Sequence, residues 1–214
     1  FTGKVWLGAA SYAERTFATR DGTRAVTGAT WSTLAPRSTH DLAFVKQGTG
    51  RMYYRVGISY APKRVDVPAL DAGFVVRRAY TAVEDPADVQ QLPDGRWKVK
   101  LGAKVLVTVE TTNTTLRHMV AVADPLPAGF ETINKNLVTS ESADTSNGTR
   151  WDHENLRNER SEVFAMQLRE GTHRFVYAVR ATTPGTFIAA PAKAEEMYAP
   201  ETFGRSTGAS VGIE

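Results

Sequence analysis

Three possible metal or acid/base ligands stand consecutively at one place in this sequence, Asp152-His153-Glu154. Neighbouring residues on a strand point to opposite faces, so these three side chains cannot converge on one ion. The remaining histidines, His40, His118 and His173, are isolated. No spacing matches a nucleophile elbow, a P-loop or a dinucleotide fingerprint. We therefore predict no catalytic residue, no metal site, no cofactor and no enzymatic activity.

A second unusual combination lies near the carboxy terminus, between Pro191 and Pro200. It consists of Glu195, Glu196, Met197 and Tyr198. The two prolines indicate that the segment is not an ordinary strand throughout, and residues 193–197 could form one short helical turn. Two interpretations are open for the apolar pair Met197 and Tyr198. Either both side chains pack onto their own domain, or the loop presents them to another surface.

Alternation of apolar and polar residues with a period of two dominates the rest of the chain. It is clearest in residues 51–60, 73–80, 104–110 and 174–181. Turn sequences separate such runs, at Asp94-Gly95, Asn147-Gly148, Glu170-Gly171 and Pro184-Gly185. Helix signals are weak, with one short turn indicated at 85–91. The pattern predicts an all-β, antiparallel β-sandwich of immunoglobulin-like or fibronectin-like architecture.

The best candidate boundary between domains is residues 61–72, where two prolines and mixed charges are typical of a linker or of a strand that enters a new domain. It predicts a partial β-domain over 1–62, with about four strands, followed by a sandwich over 63–214. The polar residues 139–150 predict a mobile loop. Because Phe1 begins inside a predicted strand, we expect the chain to be a piece of a longer polypeptide.

Composition and charge exclude several classes of partner. The 214 residues include 26 basic and 23 acidic ones but no cysteine, which removes disulfides, thiolate zinc sites and any thioester made within this chain. The basic pairs Arg77-Arg78 and Lys63-Arg64 are interpreted as solvated rim residues rather than a nucleic-acid footprint. No apolar run is long enough to enter a membrane as a helix. The tryptophans (Trp6, Trp31, Trp97 and Trp151) are expected in the core rather than as platforms for sugar binding. An exported adhesin or carbohydrate-binding module is the alternative function.

Five segments, taken in order, resemble one known family. They are residues 48–55 with 60–62, residues 71–80, residues 122–131, residues 151–160 with Phe164, and residues 191–205. In this order they resemble the carboxy-terminal end of bacterial alpha-2-macroglobulins. The resemblance implies that residues 1–62 are the second half of a split CUB-type β-domain and that residues 63–214 are the last macroglobulin-like domain.

The resemblance also implies a function. Family members are exported, broad-spectrum endopeptidase inhibitors that entrap the attacking protease, so the expected location is the periplasm, with or without an upstream lipoprotein anchor. In many members another domain of the same polypeptide carries a thioester, which a Met-Tyr pair of the last domain shields from water. Met197 and Tyr198 match that pair, and Glu195 and Glu196 would share the contact. The expected partners are the thioester domain and, through the full-length protein, target endopeptidases.

Overall fold

The computed structural model describes residues 1–18, 24–30, 38–60, 67–133 and 149–214. These residues form two compact units, Phe1–Tyr60 and Ala61–Glu214, each of which is described by itself. Several predictions lie wholly or largely outside the described residues. They are most of the boundary predicted at 61–72, the basic pair at 63–64, most of the loop predicted at 139–150 with its turn at 147–148, and the tryptophan at position 31.

The described residues of the first unit form one antiparallel sheet of three strands. They are β1 (Thr2–Leu7), β2 (Ala10–Thr16) and β3 (Leu42–Gln47), in the order β2-β1-β3. The strand predicted over 51–60 is absent, so that prediction is wrong for this chain. Its alternating side chains are exposed instead, as at Tyr53 (85%) and Ile58 (66%), although Tyr54 stacks on Phe44 with ring centroids 4.1 Å apart. An alternating pattern becomes a strand only where a neighbouring strand supplies hydrogen bonds, and no strand among the described residues of this unit pairs with 51–60.

The second unit contains fourteen strands among its described residues. They are β4 (Leu70–Ala72), β5 (Val75–Ala82), β6 (Val89–Gln91), β7 (Trp97–Val99), β8 (Lys104–Asn113), β9 (Arg117–Pro125), β10 (Phe130–Thr132), β11 (His153–Leu156), β12 (Arg160–Leu168), β13 (Gly171–Ala181), β14 (Gly185–Ala189), β15 (Lys193–Glu196), β16 (Ala199–Arg205) and β17 (Ala209–Ile213). The helical turn predicted at 85–91 is a single 3-10 turn, Pro86–Asp88, capped by the Asp85 carboxylate.

These strands form three sheets. The orders are β10-β13-β8-β5, β11-β12-β9-β15-β16-β4 and β14-β17-β7-β6, and every pairing is antiparallel except that of β17 with β7. The prediction of an all-β, antiparallel sandwich is confirmed. The four-stranded sheet that contains β8 and the six-stranded sheet pack through one hydrophobic core.

Period-two alternation positions this core. On β8, Val105, Val107 and Val109 are at most 1% exposed, whereas the residues between them face outward. Val120 and Val122 of β9 are buried in the same way, because each strand presents every second side chain to the interior. The alternation predicted at 73–80, 104–110 and 174–181 is therefore confirmed.

Candidate functional site

Met197 and Tyr198 form the two-residue connection of a β-hairpin made by β15 and β16. The prediction of a helical turn at 193–197 is wrong, because Lys193–Glu196 is a strand paired on both sides, with β9 and with β16. Pairing on two sides satisfies the backbone hydrogen-bonding groups of this segment, and this outweighs the weak local preference for a helical turn.

Pro200 is accommodated by an irregularity in this hairpin. Glu195 is paired with Phe203 and Glu196 with Ala199, so that three residues of β16 lie unpaired opposite a single step of β15. A proline has no N–H to donate and is tolerated in a bulge of this kind. The segment is therefore not a regular strand throughout, although it belongs to the sheet.

The two apolar side chains at the tip of the hairpin point into solvent. Tyr198 is 84% exposed and Met197 is 44% exposed, so neither belongs to the core of the second unit. A turn of two residues gives little freedom to the backbone that carries them. The hairpin therefore presents an aromatic ring and a thioether side by side at one edge of the described domain.

Neighbouring residues hold the base of the hairpin. The backbone N–H of His118 donates to Oε1 of Glu196 at 2.9 Å, and Nη1 of Arg117 lies 3.8 Å from the other carboxylate oxygen. The Arg117 guanidinium in turn lies over the ring of Phe74, 5.5 Å from its centroid. Glu195 is paired locally with Lys193. Both carboxylates thus have partners within the domain, whereas Met197 and Tyr198 are exposed at the tip.

Backbone contacts fix the turn further. The N–H of Met197 donates to the carbonyl of Met119 at 2.9 Å. Met119 has φ of +49°, a left-handed conformation that costs a non-glycine residue on the order of 1 kcal/mol. Gly204 of β16 passes so close to Phe74 that an added Cβ would lie 1.8 Å from its carbonyl oxygen. Both strands of the hairpin therefore make close backbone contacts with neighbouring strands of the second unit.

A buried ion pair joins the two packed sheets beneath this region. Nη1 of Arg78 on β5 donates to Oδ1 of Asp124 on β9 at 2.6 Å, and the two side chains are 3% and 1% exposed. The same guanidinium donates to the carbonyls of Ala189 and Ala190, at 3.0 and 2.7 Å, immediately before the hairpin segment. The hydroxyl of Tyr177 on β13 donates to the other oxygen of Asp124 at 2.8 Å.

Burial dominates the electrostatics of this cluster. Burial raises the pKa of the Asp124 carboxyl, while the charge of Arg78 and the hydrogen bonds from Tyr177 and Arg78 oppose the rise. Burial also raises the pKa of the Tyr177 hydroxyl well above its ordinary value. The interpretation of Arg77-Arg78 as solvated is therefore wrong for Arg78, although Arg77 is exposed. The alternation itself places Arg78 inward, because its position shares a face with Phe74, Val76 and Tyr80.

The three consecutive candidate ligands do not converge on one site. The Asp152 carboxylate accepts the backbone N–H of Met166 at 2.7 Å, the ring of His153 lies 5.9 Å from that of Phe164, and Glu154 is half-buried. Within the described residues, no group of three His, Cys, Asp or Glu side chains is arranged to hold a metal ion. The described part of the chain also contains no helix long and apolar enough to span a membrane.

Comparison with known families decides the assignment. The model of the Bacterial Alpha-2-macroglobulin MG10 domain matches residues 73–201, which include the buried ion pair and the Met197–Tyr198 turn. The chain belongs to the bacterial alpha-2-macroglobulin family. The resemblance found in the five sequence segments is thereby confirmed, and the matched region lies within the second unit.

Curated relatives of this alpha-2-macroglobulin chain are much longer than the chain itself. It is 28% identical over 186 residues to an alpha-2-macroglobulin homolog of Nostoc, covering 84% of the chain and 10% of the relative. It is 32% identical over 177 residues to the alpha-2-macroglobulin of Xylella fastidiosa strain 9a5c, covering 77% and 10%. A Dictyostelium discoideum protein named circularly permutated Ras protein 2 is 33% identical over 173 residues, covering 80% and 4%. The chain thus spans at most about a tenth of these proteins.

Solved structures show the same fold. Escherichia coli alpha-2-macroglobulin activated by porcine elastase superposes with a TM-score of 0.58 at 21% identity, covering 69% of this chain and 14% of that one. Salmonella alpha-2-macroglobulin reacted with methylamine superposes with a TM-score of 0.54 at 24% identity, covering 71% and 10%. The likeness supports the macroglobulin-like sandwich of this alpha-2-macroglobulin chain.

The tryptophans bear on the alternative of a carbohydrate-binding module. Trp6, Trp97 and Trp151 are half-buried rather than displayed as flat platforms. Trp97 contacts the ring of Tyr80 edge-on, and the indole N–H of Trp151 donates to the Arg174 carbonyl at 2.9 Å. No described tryptophan of this alpha-2-macroglobulin chain therefore favours sugar binding.

Proposed function

We propose that this chain is a noncatalytic, carboxy-terminal module of an exported, periplasmic endopeptidase inhibitor of the alpha-2-macroglobulin family. Its Met197–Tyr198 turn contacts and shields the thioester domain of the same polypeptide. In this proposal residues 1–62 complete a split CUB-type domain, and residues 63–214 form the last macroglobulin-like domain. The function of the module is to keep the full-length protein unreacted until a protease cleaves it.

One observation carries the proposal: an exposed aromatic-thioether pair stands on a two-residue turn whose base is clamped. Tyr198 is 84% exposed, and the clamp consists of the Glu196–His118 and Met197–Met119 hydrogen bonds. A thioester is an activated acyl group that water would destroy. A rigid ring beside a flexible thioether can fill an irregular gap and exclude that water.

The exposed residues 51–60 support the split-domain part of the proposal. Their alternating apolar side chains are those of a half-buried strand, yet Tyr54, Ile58 and Tyr60 are 64–68% exposed in this chain. Partner strands supplied by another segment of the polypeptide would bury that face and pair its backbone. A domain divided between two segments of one chain has this property.

The solved relatives support the choice of chemistry. One is described as reacted with methylamine and another as activated by elastase, an endopeptidase. Methylamine is an amine nucleophile that opens a thioester and leaves a free thiol, so it reports how well water and small nucleophiles are excluded. The same reaction therefore tests the proposed role of the turn in this protein.

The test uses the full-length parent protein and its Tyr198→Ala variant, with Tyr198→Phe as the matched control that keeps the ring. Methylamine is added and free thiol is titrated over time. We expect faster release of thiol from Tyr198→Ala and a nearly unchanged rate from Tyr198→Phe. Equal rates in all three proteins would remove the turn from the protection of the thioester. Absence of any thiol release would refute the thioester part of the proposal.

Inhibition is tested separately with the same parent protein. We expect cleavage by an endopeptidase to leave that protease active on small substrates but slowed on large ones, as entrapment requires. A parent that neither traps nor slows any endopeptidase after cleavage would contradict the assigned role.

A further inference from the structure

Three of the four methionines in the chain lie side by side across adjacent strands. On β12 and β9 the pairs Ala165–Val120 and Gln167–His118 flank one position on each strand, which places Met166 opposite Met119. On the other side of β9, the Met197 N–H donates to the Met119 carbonyl. We call Met166, Met119 and Met197 the methionine ladder.

The methionine ladder faces outward from the six-stranded sheet. This follows from exposure rather than from strict alternation, because Met119 has φ of +49° and its neighbour His118 is also exposed. Met166 is 62% exposed, Met197 is 44% exposed and Met119 is 37% exposed. The fourth methionine, Met52, is half-buried in the first unit and lies against Gly3.

The ladder forms an apolar strip that is continuous with the tip of the hairpin. Two strand spacings separate Met166 from Met197, which is about 10 Å measured across the strands. Beside the ladder, Phe164, Ala121 and Glu195 lie opposite one another on three adjacent strands. The Glu195 carboxylate forms an ion pair with Lys193. Apolar surface with a polar rim is typical of an interface, and methionine adapts to irregular partners.

We propose that the contact made by the Met197–Tyr198 turn extends along the methionine ladder to Met166, and that one occupant covers all of it: the thioester domain of the same polypeptide. This inference rests on the proposed function. Met197 belongs to both the turn and the ladder, so a surface that covers the tip reaches Met119 without a gap. The curated relatives are about ten times longer than the matched region, and a domain tethered in one polypeptide has a high effective concentration.

Oxidation of methionine by hydrogen peroxide tests this inference on the full-length parent. The thioether sulfur takes one oxygen atom from the peroxide and water is released, so only an accessible sulfur reacts. Peptide mass spectrometry gives the rate at each methionine in the native parent, in the protease-cleaved parent and in the parent unfolded in denaturant. Met52 is the internal control outside the ladder.

We expect all three ladder methionines to react several-fold more slowly in the native parent than in the unfolded one. After cleavage, when the proposed contact opens, the rates at Met166 and Met197 should rise markedly, since the domain alone leaves them exposed. A native parent in which Met197 is protected and Met166 reacts freely would overturn the extension while leaving the proposed function intact. Free reaction of Met197 in the native parent would contradict the proposed function itself.

Two further arms complete the test. Protection that disappears on dilution, together with a dimer in sedimentation, would assign the ladder to a second copy and overturn the inference. In the methylamine assay, Met166→Glu should accelerate release of thiol because it places a charge within the contact, whereas the isosteric Met166→Leu should behave as wild type. Equal rates for the two variants would count against the ladder as a contact surface.

Discussion

Breaking the buried pair of Arg78 and Asp124 should destabilise the second unit more than any surface change. The pair is 2.6 Å apart with side chains 3% and 1% exposed, and Arg78 also supports two backbone carbonyls. Removing one member of a buried pair leaves an uncompensated charge, at a cost of about 3–5 kcal/mol. We therefore expect Arg78→Met to lower the free energy of unfolding by that amount near neutral pH. Its exposed neighbour provides the control, since Arg77→Met should change stability by less than about 0.5 kcal/mol.

The dependence on pH distinguishes this explanation from loss of packing. In Arg78→Met the carboxyl of Asp124 loses the positive charge that opposes the effect of burial, so its pKa rises further. A carboxyl whose pKa is raised by folding contributes stability below its unfolded pKa of about 3.9, and this is lost as the pH rises through the folded value. The variant should therefore be least destabilised near pH 4 and increasingly destabilised toward pH 7.

The assay is urea unfolding monitored by pulsed hydrogen exchange. Exchange in the peptide that contains β8 reports the unfolding of the second unit alone. The double variant Arg78→Met/Asp124→Leu completes a mutant cycle, and its loss should be smaller than the sum of the two single losses. A loss of less than about 1 kcal/mol in Arg78→Met, or a loss that is the same at both pH values, would refute the reasoning.

Three other predictions concern single side chains. Gly204→Ala should disrupt the hairpin or prevent folding of the second unit, because the new Cβ would lie 1.8 Å from the Phe74 carbonyl oxygen, whereas Gly57→Ala, with open space around it, should be neutral in thermal unfolding. Tyr198→Ala should change the free energy of unfolding of the chain by less than about 0.5 kcal/mol, since a loss of about 3 kcal/mol would indicate a core residue. The Tyr80 hydroxyl is buried without a hydrogen-bond partner among the described residues, and burial raises its pKa, so Tyr80→Phe should be neutral or stabilising at pH 7. Above about pH 10, where the unfolded tyrosine ionises, the wild type should lose stability faster than Tyr80→Phe, and parallel alkaline unfolding curves would contradict this.

Period-two alternation was sufficient to predict the packed strands of the second unit. Val105, Val107 and Val109 alternate with polar or half-exposed residues because β8 lies between two other strands and faces one core. The same pattern failed at residues 51–60. Alternation shows which side chains share a face, but it does not show whether a neighbouring strand exists to pair with that face.

The hairpin and the ion pair were harder to predict, for different reasons. Pro191 and Pro200 suggested an irregular loop, because sequence alone does not reveal the bulge that accepts Pro200. The burial of Arg78 is hard to predict because a single sequence does not show its partner, which lies 46 residues away on another sheet. Parity would have placed Arg78 on the inward face, and a charge in that position requires a buried partner.

The position of the ion pair explains how an exposed turn can be held rigidly. Arg78 binds the carbonyls of Ala189 and Ala190 just before the hairpin, and Glu196 binds the backbone of His118 just before its tip. The segment between these two points is thus fixed at both ends, and Met197 and Tyr198 gain contacts without first losing much conformational freedom. In the proposed function, a contact made by preorganised side chains can be specific and still break when the full-length protein changes shape.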